Sequence, residues 1–319
     1  MKVAILGLGS IGRRHARCFL AAGADEVIGF DPTEDRRKQF TDEIGAEAYG
    51  DQDQVLEMRP DLVLLASPNV FHARQAIAAA ERGLNIFVEK PLAVTVADGE
   101  AIAEAVSRAG VYLHMGSNWK FHPAFAHMKR IIDGGGIGKV TGVQCVVGQW
   151  LPDWHPYEDY RNMYCSRKAL GGGAVFDTHE IDYLTWLLGP VKDFVGMTAW
   201  SGALETETED VAASVMRFEN GALVNILTDY IQRVARRRYY ISGTEGALDW
   251  DFHRGTLVHS ISGEREHETF DTTLADINEM YIAQAKQVLD DIANGRKAVT
   301  PVEQALMVLK LQAKWRGDA

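Results

Sequence analysis

The segment Val3-Ala4-Ile5-Leu6-Gly7-Leu8-Gly9-Ser10-Ile11-Gly12 runs an apolar stretch into glycines spaced G-x-G-x-x-G, and a helix-like run over residues 11–22 follows it. Strand, glycine turn and helix in that order are the context that turns a bare glycine pattern into a dinucleotide fingerprint. Gly7 permits the tight turn, Gly9 lets the backbone approach a pyrophosphate, and Gly12 lets the helix pack closely on the strand. Ser10 and Ile11 then stand at the open end of the helix, where free N–H groups and the positive dipole end receive the pyrophosphate.

A second apolar run, residues 27–30, ends in Asp31. That places a carboxylate about 20 residues beyond the last glycine, where such sites bind the adenosine ribose. It pairs with ribose hydroxyls and repels a 2′-phosphate, so NAD is expected over NADP. Arg36 and Arg37, close by in sequence, argue the other way. Asp31 also reads as a cap for the helix that opens at Pro32.

Strand-like runs at residues 62–66, 86–88 and 111–115 alternate with helix-like runs at 33–44, 71–82 and 97–109. Continuously apolar strands separated by helices indicate a parallel sheet covered on both faces, hence a doubly wound Rossmann domain over residues 1–120. Ligands of such sheets lie beyond the carboxyl ends of the strands. The segments there are Ser67-Pro68-Asn69 with His72, and Glu89-Lys90-Pro91. Asn69 reads equally as a helix N-cap, and His72 as a packed histidine or a ribose contact.

After Met115 the pattern changes to strand signals at 140–149, 191–200, 211–218, 223–230, 238–241 and 247–252, with Glu219-Asn220-Gly221 as a hairpin turn. This indicates an α+β domain over residues 121–319 with an open, mainly antiparallel sheet. Helices at 277–293 and 301–315 close the chain and are free to pack back on the first domain.

The 319 residues are 46% hydrophobic and 24% charged, ordinary for a globular protein, and no apolar run suggests a membrane span. Lys2 before a glycine-broken apolar run reads as a buried strand rather than a signal peptide. Cys18, Cys145 and Cys165 have no metal-like spacing, so no metal site is expected, and their number suits a reducing cytosol. A net charge of −11 argues against nucleic acid as a partner. The basic cluster Arg233, Arg236, Arg237, Arg238 reads as a solvated strand or loop, with an anion contact or a subunit edge as alternatives.

Taken together, Gly7-Leu8-Gly9-Ser10-Ile11-Gly12, Ser67-Pro68-Asn69 with His72, Glu89-Lys90-Pro91, Gly171-Gly172-Gly173 leading to His179 and Asp182, and Ile241-Ser242-Gly243-Thr244-Glu245-Gly246 resemble the Gfo/Idh/MocA oxidoreductases. The resemblance covers nearly the whole chain, and Glu-Lys-Pro after a strand is its most specific part. It implies NAD(P)-dependent hydride transfer on a sugar, sugar derivative or cyclitol. It also implies a lysine, here Lys90, at the reacting hydroxyl and nicotinamide ribose, a commonly cis proline, and a homodimer or homotetramer through the C-terminal sheet. Lys90 fits physically, because an ammonium beside the reacting oxygen stabilises alkoxide character.

The commoner family pattern has an aspartate four residues before the histidine, whereas Asp177 precedes His179 by only two. His179 remains the expected proton acceptor, since imidazole changes charge near neutral pH. Asp182 shares its helix face at i, i+3 and is expected to orient the ring. Asp177 is a second orienter, a substrate hydroxyl ligand or a helix cap. Residues 149–161 are aromatic, polar and proline-broken, with Trp154, His155, Tyr160 and Arg161 as expected sugar contacts. A surface loop packed by its own aromatics is the equal alternative. That loop resembles members linked to cell-surface sugar biosynthesis. Asn118 and Lys120 fall where the family carries a further substrate-facing segment. The rival functions are a non-catalytic dinucleotide sensor, favoured only by the departure at Asp177, and an enzyme that retains NAD for redox-neutral sugar chemistry.

Overall fold

In a computed structural model of the chain, all residues are described except His155, Tyr157, Thr178, Arg265, Glu266 and Ala319, together with the side chain of Asp177. The chain divides into two compact units, Met1–Asn118 with Asp276–Leu309, and Trp119–Ala275 with Lys310–Ala319.

The first unit is built on β1 (Lys2–Leu6), β2 (Glu26–Phe30), β3 (Ala48–Tyr49), β4 (Leu62–Leu65), β5 (Asn85–Val88) and β6 (Leu113–Met115), ordered β3-β2-β1-β4-β5-β6 and parallel throughout. Central β4 reads Leu-Val-Leu-Leu and is buried at every position, as a strand covered on both faces requires. The order reverses between β1 and β4, so the carboxyl ends of these strands flank the crevice where a doubly wound sheet takes its ligand. One core layer joins Val3, Ile5 and Leu64 to Ala16 and Phe19 of the helix Ser10–Ala21. Ala285, Val288 and Leu289 of the helix Asn278–Ala293 complete it. Strand β3 and the helix Gln52–Glu57 escape a sequence reading because neither is long enough to show a period.

The second unit carries a sheet of eight strands: β7 (Val140–Gly148), β8 (Val191–Ala199), β9 (Val211–Phe218), β10 (Leu223–Asp229), β11 (Arg236–Gly243), β12 (Gly246–Asp251), β13 (Thr256–Ile261) and β14 (Glu268–Asp271). Its order is β14-β13-β12-β11-β7-β10-β9-β8, and only β7 with β10 is parallel. Strands β13 and β14 extend it beyond the sequence-based expectation. Their alternation is masked by His259, Ser260 and a polar edge.

Register shows why alternation reads well elsewhere. Phe194, Met216, Val224, Val143, Ile241 and Leu248 line up across neighbouring strands, and all are buried. One residue along, Val195, Val215, Asn225, Gln144 and Tyr240 form a row on the opposite face. There Val195 is 69% and Val215 55% exposed. Between β7 and the helices Ala174–Asp177 and Glu180–Leu188, short 3-10 turns pack on their own cluster of Leu151, Met163, Cys165 and Tyr230, with Trp154 and Tyr160 against it.

Candidate active site

In the first unit, the three fingerprint glycines meet three different surroundings. Gly7 has φ +99°, and a Cβ there would meet Ser67 N at 2.5 Å. A Cβ on Gly12 would fall 1.9 Å from Gly7 O. At Gly9 a Cβ would meet nothing within 4 Å, so the backbone there is bare toward open space. Gly9 is also the N-cap of the helix Ser10–Ala21 and supplies no side-chain cap, which leaves the first amides, from Ser10 and Ile11 on, for an anion. The glycine turn therefore fits a dinucleotide pyrophosphate.

Asp31 is buried at the tip of β2, where Oδ2 accepts the Leu8 N–H at 3.0 Å and Oδ1 the Thr33 N–H at 2.9 Å. The helix expected to open at Pro32 begins at Glu34 with Thr33 as its N-cap and no side-chain cap bond, so Asp31 is not that cap; its carboxylate is held instead against the glycine turn. Arg36 lies 3.6 Å from Asp31 Oδ2, and Arg37 donates to the carbonyls of Asp31 and Pro32. Both guanidinium groups are engaged within their own turn.

Beyond β4, Ser67 Oγ donates to Gln75 at 2.6 Å. Asn69 is not the N-cap expected of it. Pro68 leads a 3-10 turn, Asn69–Phe71, and the helix His72–Glu81 is capped at Phe71 without a side-chain bond. His72 is fully buried, with Nδ1 3.0 Å from Pro91 O and Nε2 3.1 Å from Ser67 O. It braces the two loops from inside, which corrects the expectation of a ribose contact, and burial pushes its pKa down.

After β5 come Glu89, Lys90 and Pro91, with the Lys90–Pro91 peptide bond cis. Glu89 Oε1 lies 2.5 Å from Nε2 of the buried His15, and Oε2 accepts the Lys90 N–H at 3.1 Å. Burial alone would raise the Glu89 carboxyl, but the hydrogen bond and charge of His15 hold it below the ordinary value.

In the second unit, His179 is half-buried and caps the helix Glu180–Leu188, with its ring stacked on Tyr183 at 5.6 Å and 8°. Asp182, expected to orient that ring, accepts from Lys120 Nζ at 2.8 Å in a pair 5% and 1% exposed. Burial lowers the Lys120 pKa, and Asp182 opposes the shift. Asp177 ends the helix Ala174–Asp177, and its side chain lies outside the described residues.

In the aromatic loop Trp154 and Tyr160 pack on one cluster, while Arg161 is exposed. Trp154 sits edge-on to Tyr230 at 5.3 Å, and Tyr160 Oη accepts the Glu205 N–H at 3.2 Å. The exposed guanidinium of Arg161 is taken by Glu205 and Asp159. His155 lies outside the described residues. Asn118 is buried at the start of the 3-10 turn Asn118–Phe121, which also carries Lys120. Among the described residues, no cluster of His, Cys, Asp and Glu is arranged to hold a metal ion.

Sequence reasoning missed His15, Glu180 and Arg237. Glu180 is 0% exposed and pairs with Arg237 at 2.6 Å, so one member of the basic cluster is a buried partner and not a solvated surface charge. The available signal was the spacing of Arg237 and Tyr239, two residues apart on a strand, which turns both side chains to the same face.

Two family descriptions match the chain: an oxidoreductase family with an NAD-binding Rossmann fold over residues 1–117, and a GFO/IDH/MocA C-terminal domain over residues 125–249. A scyllo-inositol 2-dehydrogenase (NAD(+)) of Bacillus subtilis is 39% identical over 271 residues, covering 81% of this chain and 75% of the relative. A myo-inositol 2-dehydrogenase of Thermotoga maritima is 27% identical over 330 residues, covering 98% and 94%. Among solved structures, a levoglucosan dehydrogenase in complex with NADH and levoglucosan superposes with a TM-score of 0.89 at 20% identity, covering 100% of this chain and 97% of that one. The WlbA dehydrogenase of Bordetella pertussis, with NADH and UDP-GlcNAcA, gives 0.85 at 20% identity, covering 100% and 96%. At these identities the superpositions speak for the fold alone.

Proposed function

The chain belongs to the Gfo/Idh/MocA oxidoreductases, an NAD-binding enzyme family, and on that premise we propose that it oxidises a secondary hydroxyl of a cyclitol or sugar, or reduces the matching ketone. The observation that carries this reading is the Asp31 carboxylate fastened to the Leu8 N–H of an open glycine turn, the pairing an adenosine ribose and its pyrophosphate require. Relatives named as inositol dehydrogenases support the substrate class.

Bound NAD supplies the acceptor for the carbinol hydrogen with its electron pair. Gly7 and Gly9 would bring the bare turn to its pyrophosphate, Gly12 packs the helix against that turn, and Asp31 would take the ribose hydroxyls. Ser67, Pro68, Asn69, Glu89, Lys90 and Pro91 line the strand ends beside them. His179 takes the proton of the substrate hydroxyl, the role for which imidazole is the usual side chain. The Lys90 ammonium is suited to stabilise negative charge that grows on a reacting oxygen. In the second unit Lys120 and Asp182 form one buried pair, on the 3-10 turn before and the helix after His179.

The exposed apolar row through Val195 and Val215, with Met197 and Leu227 on the same face, supports pairing of the second sheet with another copy of the chain. Sedimentation equilibrium checks this, with a monomer at micromolar concentration as the contrary result. Free, buried Cys18, Cys145 and Cys165 support a cytoplasmic setting.

The functional test is absorbance at 340 nm with NAD, and with NADP in parallel, against cyclitols, free sugars, sugar acids and nucleotide-sugars. The expected result is turnover of at least one cyclitol or sugar with NAD preferred. NADH binding without turnover across the panel would overturn the reading.

A further inference from the structure

His179 stands at the joint between the helices Ala174–Asp177 and Glu180–Leu188 and offers the second of them no side-chain cap. What holds its main chain is the residue that follows. The His179 N–H donates to Glu180 Oε2 at 2.8 Å. The other oxygen, Oε1, accepts from Arg237 Nη1 at 2.6 Å and from Tyr239 Oη at 3.0 Å, both on β11. In a capping box the acid that returns to the cap N–H sits at the third helical position. Here it sits at the first, and its second oxygen is free to reach the sheet.

This arrangement is costly to keep. Glu180 is 0% and Arg237 15% exposed, and a buried ion pair gains little over an apolar pair of the same volume because desolvation offsets the attraction. Stability is therefore a poor reason to retain it at this spot. What it does provide is a fixed link from the main chain of His179 to a central strand, since β11 lies between β7 and β12. Arg237 is itself held, its guanidinium stacked 4.2 Å over the Trp119 ring. Tyr183, in the same helix as Glu180, lies nearly parallel to the imidazole with ring centroids 5.6 Å apart.

We propose that Glu180, gripped by Arg237 and Tyr239, is a positioning residue that fixes the backbone of His179 and so sets where its imidazole stands. This rests on the reading of His179 as the proton-transfer residue. A shift of about 1 Å in such a group is enough to cost about a hundredfold in rate.

The test uses the full-length protein with NAD and whichever of scyllo-inositol, myo-inositol, levoglucosan or a UDP-sugar it turns over. Glu180→Gln is expected to lower kcat by about 10–100-fold while KM and NADH affinity hold within about twofold, the signature of lost orientation. Tyr239→Phe, which deletes one O–H donor, lowers kcat in the same way but less. Should Glu180→Gln fail to fold, the double variant Glu180→Gln/Arg237→Met leaves neither charge uncompensated, and the same kcat loss is expected at a near wild-type melting temperature. Wild-type kcat in the folded double variant and in Tyr239→Phe, or a loss falling on KM alone, would overturn the proposal. Full turnover by His179→Ala, or silence of the wild type across all four probes, would instead overturn the functional reading and this proposal with it.

Discussion

Lys90 and His179, in different units and different kinds of local structure, are each flanked by a glutamate that does the same two things. Glu89 precedes Lys90, accepts its N–H at 3.1 Å and gives its other oxygen to His15 at 2.5 Å. Glu180 follows His179, accepts its N–H at 2.8 Å and gives its other oxygen to Arg237 at 2.6 Å. The pairs differ in partner and in exposure. Glu89 is 17% exposed and held by a titratable ring, whereas Glu180 is 0% exposed and held by a permanent cation. A carboxylate with some water at hand tolerates a partner that can lose its charge. One with none requires a partner that cannot.

The largest expected effect removes one of the residues being served. His179→Ala should lower kcat by about 10²–10⁴-fold, the usual worth of a positioned proton acceptor, with NADH binding intact. Stopped-flow hydride transfer with fluorescence titration of NADH separates the two. The fingerprint of the first unit should break differently. Gly12→Ala places a Cβ 1.9 Å from Gly7 O and should weaken NADH binding by at least about tenfold, checked by the same titration.

Arg237 bears on a second group, and acid stability sharpens the contrast there. Burial, and secondly the charge of Arg237, push the His122 pKa from 6.5 down to about 4. A histidine depressed in the folded state costs nothing above its unfolded value, and stability is lost as pH falls from 6.5 toward about 4. At 1.36 kcal/mol per unit the loss is about 3 kcal/mol. His122→Asn keeps an acceptor for the Ala124 N–H, and urea unfolding at about pH 7 and pH 4 should show most of that acid loss gone.

Glu89 gives a smaller effect. Its carboxyl is held below the ordinary 4.5, so its contribution is present above that value and disappears as pH falls through the lowered one. Glu89→Gln should cost about 1–3 kcal/mol near neutral pH and little in strong acid, measured by urea titration at both.

The parts of the molecule that could be read from the chain are those written locally. The glycine turn, Asp31, and Glu89-Lys90-Pro91 each occupy a few consecutive residues at the end of an apolar strand, so spacing alone announces them. The alternation of β9 and β10 did the same for the second sheet. What could not be read is what local patterns cannot carry. Glu180 and Arg237 are 57 residues apart, and His15 and Glu89 are 74 apart, and each pair meets only when the fold closes. A charged residue within an apolar helix pattern looks like surface until its partner is known. Asn69 was misread for a smaller reason: Pro68 starts a 3-10 turn, which shifts the helix start past Asn69, while of the two readings open for His72 the structure shows the packed one.

The central claim, that the chain transfers hydride between NAD and a polyol with Lys90 at the reacting oxygen, is tested most directly by Lys90→Met. The measurement is pre-steady-state absorbance at 340 nm at saturating NAD and substrate. The account predicts NADH formation in the wild type and a fall of at least about 10²-fold in Lys90→Met, which should still bind NADH and fold normally. An unchanged rate in Lys90→Met would contradict it.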